Sequence, residues 1–202
     1  MSASALLVID VQHSFLHMPY FDASDLPRYQ AKQVELITAC QRQHIPIIQI
    51  LHVEQTGPFS KASGWVKPMD FLPPHHGPVF EKTVHNALIG SGLHEFLQQR
   101  HIQHLIISGI RTEQCCETTA RVGSDLGYSI DFVTEATLTF AMQHANGQCF
   151  SASEIKTRTE LVLSDRFARI CSVDQLVASW PALAHAPRAP AKTKIVNAGI
   201  QA

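Results

Sequence analysis

Three residues of different chemistry each follow a short apolar run. Asp10 comes after Leu6-Leu7-Val8-Ile9, Lys82 after Val79-Phe80-Glu81, and Cys115 shortly after the run that ends at Ile110. Side chains at the ends of neighbouring parallel strands share one crevice. There, a carboxylate that can take a proton, a fixed ammonium and a nucleophilic thiol make a covalent catalyst. The strongest of the three signals is Ser108-Gly109-Ile110-Arg111-Thr112-Glu113-Gln114-Cys115-Cys116, where a strand turns sharply into a helix that opens on a thiol. The spacing predicts Cys115 in the first helical turn, where free amides and the helix dipole favour thiolate, with Thr112 as the cap. The backbone amides of Arg111 and Cys115 are candidates to hold a developing oxyanion. Cys116 is rotated about 100° around the helix, so it cannot face the same pocket. Taken singly, each residue has a plainer reading: a buried cysteine, a turn carboxylate, a solvated lysine. The agreement of three strand ends favours the chemistry.

Alternating strand and helix patterns position these groups. Ala5–Asp10, Ile45–Leu51, Val79–Glu81, His104–Ile110, Ser129–Thr134 and Ala168–Val173 read as strands. Asp25–His44, Leu93–Arg100, Cys115–Leu126, Ser151–Ser164 and a final helix capped by Asp174 through about Trp180 read as helices. The alternation predicts one α/β, doubly wound domain with a six-stranded, mainly parallel sheet. That domain is expected over residues 1–180, followed by a low-complexity tail over 181–202 rich in Pro and Ala. Between about Glu54 and Pro78 the periodicity disappears, which suits a lid or binding loop.

The chain has 202 residues, 45% of them hydrophobic, enough for one sizeable core. Its 16 basic and 17 acidic side chains leave a formal charge of -1, which gives no bulk attraction to nucleic acid or anionic membrane. No apolar run approaches the roughly 18 residues that span a bilayer. Cysteines at 40, 115, 116, 149 and 171 form no Cys-x-x-Cys pattern, so a reduced, cytoplasmic protein is expected.

The motifs resemble those of the isochorismatase-like cysteine hydrolases, the superfamily that also holds nicotinamidases and N-carbamoylsarcosine amidases. The likeness runs from about Ala5 to Val177. It is carried by Leu6-Leu7-Val8-Ile9-Asp10-Val11-Gln12, by Phe80-Glu81-Lys82 and, most specifically, by Gly109 to Arg121 followed by Gly127-Tyr128. The resemblance implies Asp10 as base, Lys82 as cation and Cys115 as nucleophile. It also implies a cis peptide between Ile110 and Arg111, first and fourth strands side by side, and a homo-oligomer (dimer or tetramer). Nicotinamidases build a zinc site from an aspartate and histidines after the second strand. Here that segment reads Leu51-His52-Val53-Glu54-Gln55 without the Asp-x-His pattern. No metal and no cofactor is therefore expected.

Phe15, Trp65, Phe71 and Phe140 are candidate substrate-pocket walls, with Trp65 in the long loop the first choice. The reading that follows is a metal-independent cysteine hydrolase cleaving a C–N bond of a small amide, ureido or carbamoyl compound. Its rivals are a non-catalytic metabolite-binding or assembly protein on the same fold, and a zinc-dependent amidase using His52, His75 or His76.

Overall fold

The computed structural model describes residues 4–185. Four buried, mostly β-branched or aliphatic segments and two short outer strands form a six-stranded parallel sheet. In chain order its strands are β1 (Ser4–Ile9), β2 (Ile47–His52), β3 (Val79–Lys82), β4 (His104–Ile110), β5 (Ser129–Leu138) and, after a hairpin, β8 (Arg169–Ile170). Across the sheet they run β3-β2-β1-β4-β5-β8, and every pairing is parallel. The chain thus winds outward in one direction through β3, then restarts beside β1 at β4. Between β1 and β4 lies the switch point where open α/β sheets gather ligands.

Alternation along β1 divides the core. Leu6 and Val8 face one cluster, which holds Leu36 and Ile37 of helix α1 (Leu26–Arg42) and Leu176 and Trp180 of α5 (Val173–His185). Ala5, Leu7 and Ile9 face the other, built on α2 (Leu93–Gln99), α3 (Glu117–Asp125) and α4 (Ala152–Leu163) through Leu97, Ala120 and Leu163. Both faces of the sheet are covered, as a fully parallel sheet requires.

The departures from the sequence reading have local causes. Strand β5 continues to Leu138 because its register against β4 slips between Ile107 and Gly109, and this irregularity carries the ladder past Glu135. A short antiparallel hairpin, β6 (Met142–Gln143) with β7 (Cys149–Phe150), escapes a reading based on apolar runs, since its residues are mostly polar or exposed. Helix α5 is capped by Ser172 instead of Asp174: Gln175 N donates to Ser172 Oγ at 3.1 Å and Ser172 N to Gln175 Oε1 at 2.9 Å, a reciprocal capping pair. Helix α5 runs on to His185, past the expected end near Trp180 and into the expected tail over 181–202, of which 186–202 lie outside the described residues.

Candidate active site

At the end of β1, Asp10 takes a left-handed conformation (φ 54°), which a short polar side chain tolerates better than most. Its amide still bonds Ile50 O of β2 at 2.9 Å, so the carboxylate is delivered at the sheet's edge. Lys82 ends β3 and pairs in register with His52, the last residue of β2. Cys115 comes from the turn after β4. Gly109 allows that turn: at φ 130° it lies so near β1 that a Cβ would sit 2.0 Å from Ile9 O, a spacing only glycine permits. The Ile110–Arg111 peptide that follows is cis.

The three side chains meet. Lys82 Nζ lies 2.8 Å from Asp10 Oδ2 and donates to Cys115 Sγ at 3.3 Å. The ion pair is dry, with the Lys82 side chain 0% and that of Asp10 1% exposed. Asp10 Oδ1 is buried without a hydrogen-bond partner among the described residues. Burial drives the Lys82 pKa down, but attraction to Asp10 and Cys115 outweighs it and holds the ammonium above its ordinary value.

The thiol differs from the expected one. Residues Thr112–Cys116 form a π-helical turn, and α3 begins only at Glu117. Thr112 does not cap it; its hydroxyl pairs with Thr137 Oγ1 at 2.7 Å. Burial, and then the Asp10 carboxylate, push the Cys115 thiol well above the ordinary range, with Lys82 opposing only in part. Dehydration of the crevice overrides the dipole, because it acts on the whole charge of the thiolate. The resting site therefore holds a thiol facing a carboxylate and an ammonium.

Two histidines flank this group. His52 Nδ1 stands 3.0 Å from Lys82 Nζ, and His85 Nδ1 stands 3.8 Å from Cys115 Sγ. His85 follows β3 too closely for periodicity to have singled it out. The remaining histidines considered for zinc are elsewhere: Gly77 packs on Ile47 O at the opposite end of β2, and His75 Nδ1 accepts from Gly77 N at 3.3 Å. A six-residue strand separates the two ends by roughly 16 Å. His52 cannot share a metal with His75 or His76, and its Nδ1 already faces an ammonium, so this donor set does not fit zinc.

The expected aromatic walls divide. Trp65, 36% exposed, stacks on His17 with ring centroids 3.4 Å apart, and its carbonyl accepts from Ser14 N and Oγ, both at 3.1 Å. Phe15 and Phe140 are 4% and 1% exposed, as deeply buried as the catalytic candidates themselves. Phe15 packs edge-on against Phe59, which meets the His52 ring in the same way at 5.7 Å, and Phe140 backs Tyr20 and Arg111. Phe71 does not join them; its ring packs edge-on against Tyr29 of α1, drawn into the core beside buried Met69. Tyr20, whose ring lies 4.9 Å from the Arg111 guanidinium, was not evident from the sequence.

A parallel sheet ordered about this switch point, with acid, ammonium and thiol at its edge, has a match in sequence. The isochorismatase domain matches residues 4–169. The chain belongs to the isochorismatase family. An uncharacterized isochorismatase family protein of Bacillus subtilis, YrdC, is 29% identical over 182 residues, covering 86% of this chain and 94% of its own. Nicotinamidase 3 of Arabidopsis thaliana is 38% identical over 60 residues, 30% of each chain. Among solved structures, an isochorismatase-family protein from Burkholderia xenovorans superposes with a TM-score of 0.81 at 25% identity, covering 93% of this chain and 90% of that one. A cysteine hydrolase from Pseudomonas syringae shares the fold at 17% identity, with a TM-score of 0.79 over 88% of this chain and 93% of its own. The protein is thus an isochorismatase-family hydrolase, and no helix among its described residues is long and apolar enough to cross a membrane.

Proposed function

We propose that this isochorismatase-family protein is a metal-independent cysteine hydrolase that cleaves a C–N bond of a small amide, ureido or carbamoyl compound. The observation that carries the reading is the convergence on Lys82 of Asp10 at 2.8 Å and Cys115 at 3.3 Å in a dry crevice. In that geometry the Cys115 proton passes to Asp10 as the sulfur attacks the substrate carbonyl carbon. A C–S bond forms, and the displaced electron pair collects on an oxyanion held by the Arg111 and Cys115 amides. Collapse breaks the C–N bond, and the departing nitrogen takes the proton from Asp10. Water then gives its proton to Asp10 and attacks the thioester; the C–S bond breaks, and the sulfur recovers its proton. A raised thiol suits this order, because the proton stays on sulfur until a carbonyl is in place.

The donor geometry around His52 supports metal independence, and the partial likeness to a nicotinamidase supports an amide-type bond. Five cysteines, all free, agree with a reducing, cytoplasmic setting. The same reading includes a homo-oligomer, for which exposed Ile89 (57%) and Leu161 (77%) are candidate contacts and light scattering the measurement.

The deciding experiment incubates the protein with a set of amide and ureido compounds and looks by mass spectrometry for an acyl adduct. Expected are an adduct on Cys115, its loss together with turnover in Cys115→Ala, and turnover that survives a strong chelator. Turnover retained by Cys115→Ala, or an adduct on Cys116 instead, overturns the assignment.

A further inference from the structure

We propose that His52 is the positioning residue for Lys82, holding the ammonium between the acid and the nucleophile through a neutral imidazole whose Nδ1 accepts a hydrogen bond from its third N–H. The inference rests on the hydrolase reading above, and it assigns a task to a residue that reading leaves idle.

A lysine ammonium has three N–H groups and no acceptor. With its side chain 0% exposed, Lys82 has no solvent to satisfy them, and an unpaired buried N–H of a charged group is costly. Three acceptors surround it: Asp10 Oδ2 at 2.8 Å, His52 Nδ1 at 3.0 Å and Cys115 Sγ at 3.3 Å. Two of them take part in the reaction and change protonation during it. The third does not, so it is the one fixed point.

The tautomer follows. A group with only donors faces Nδ1, so Nδ1 carries the lone pair and the ring proton sits on Nε2. Nε2 in turn lies 3.4 Å from Glu54 Oε1, an acceptor for that proton. Burial and the Lys82 charge both push the His52 pKa down, with Asp10 opposing, which keeps the ring neutral. The ring is also held from behind. His52 N donates to Gln12 Oε1 at 2.8 Å, Gln12 Nε2 donates to His52 O at 3.1 Å, and Phe59 meets the ring edge-on. Gln12 is itself 0% exposed and comes from the segment that follows Asp10, so the carboxylate and the imidazole share one brace.

The test measures alkylation of Cys115 by iodoacetamide near pH 8, located by mass spectrometry, which needs no knowledge of the substrate. Because Lys82 is the positive group that opposes the rise in the thiol pKa, displacing it lowers the thiolate fraction. One unit of pKa is about tenfold in rate. His52→Ala is expected to slow alkylation about tenfold, toward the rate of Lys82→Met. His52→Asn, whose Oδ1 can stand where Nδ1 stood, is expected to return within about threefold of wild type. Wild-type reactivity in His52→Ala while Lys82→Met is slow defeats this inference alone. So does a His52→Asn variant as slow as the alanine one. Wild-type reactivity in Lys82→Met defeats the hydrolase reading's use of Lys82 and this inference with it. Should His52→Ala not fold, nitrogen NMR of the wild-type imidazole decides: a proton on Nε2 is expected, and a proton on Nδ1 overturns the proposal.

Discussion

The Cys115 sulfur faces two opposed neighbours, and the opposition gives substitutions at Asp10 two effects of contrary sign. The carboxylate raises the thiol, second only to burial, while the ammonium lowers it. Replacing Asp10 with Asn removes the negative charge, so the free thiol becomes easier to ionise. Alkylation near neutral pH is expected to accelerate by about three- to tenfold, since a neighbouring charge moves a pKa by a unit or so. Turnover is expected to disappear in the same variant, because no group remains to carry the proton to the leaving nitrogen. A variant in which both rates fall together would mean that Asp10 supports the fold more than it exchanges protons with sulfur. Cys116→Ala supplies the control: that thiol is 0% exposed and makes no hydrogen bond with Asp10 or Lys82 among the described residues, and turnover is expected to stay at a sizeable fraction of wild type. The positions of carboxylate, ammonium and thiol at strand ends were legible in the sequence, since a strand end is marked by where an apolar run stops. The ionisation state of the sulfur was not. It depends on how completely other segments exclude water from Cys115, and no spacing within Gly109–Cys116 encodes that.

At the scale of elements, the site depends on how closely β1 and β4 approach. Gly109 makes the approach possible, and its hydrogen faces backbone: an added Cβ would stand 2.0 Å from Ile9 O and 2.7 Å from both Ile9 C and Ile9 N. Backbone in the middle of a sheet cannot step aside without breaking its ladder. Gly109→Ala is expected to cost at least about 4 kcal/mol, the range reserved for strained or overpacked positions. That is a large part of a typical 5–15 kcal/mol margin, so little soluble, cooperatively melting protein should accumulate. Gly123 in α3 makes the comparison informative. Its added Cβ would meet only side-chain tips, the nearest being Ile130 Cδ1 at 3.0 Å, and alanine is the better helix former by about 1 kcal/mol. Gly123→Ala is expected to melt within a few degrees of wild type. Equal losses in the two variants would show that backbone approach is not what makes Gly109 necessary. The sequence marks Gly109 as a turn glycine beside an apolar run. Its second role appears only once β1 and β4 are neighbours, a long-range pairing that a local reading does not contain.

Across the whole molecule the sheet has two charged ends with different work. One carries the crevice, and the other is closed by Asp131 of β5. Asp131 receives Arg169 Nε at 2.6 Å and Nη2 at 2.8 Å from β8, and lies 2.9 Å from His104 Nε2 of β4. His104 Nδ1 in turn meets Ser4 Oγ of β1 at 2.9 Å, so one carboxylate ties four strands at their starts. The order of strands, and hence the general form of the sheet, could be anticipated from alternating elements and the family resemblance. This cluster could not, because Asp131, His104 and Arg169 are scattered in sequence and meet only through the exact register of β4, β5 and β8. Burial pushes the Asp131 pKa up, but the Arg169 and His104 bonds outweigh it and hold the carboxyl below its ordinary value of 3.8. A group whose pKa is depressed on folding contributes stability above its unfolded pKa and loses it as pH falls through the folded one. Near neutral pH, Asp131→Asn is expected to cost about 2–3 kcal/mol, allowing for the half-exposed Arg169, or roughly 5–10 °C in a chain of this size. As pH falls below the ordinary value of 3.8 the unfolded chain takes up the proton first, so the wild-type carboxylate loses this advantage toward its depressed folded value and the gap between the two melting curves should narrow. Thermal melts of both proteins from pH 7 down to about pH 2 check the sign. A gap that stays constant or widens on acidification would mean that the cluster holds the strands by shape and packing, with the charge of Asp131 contributing little.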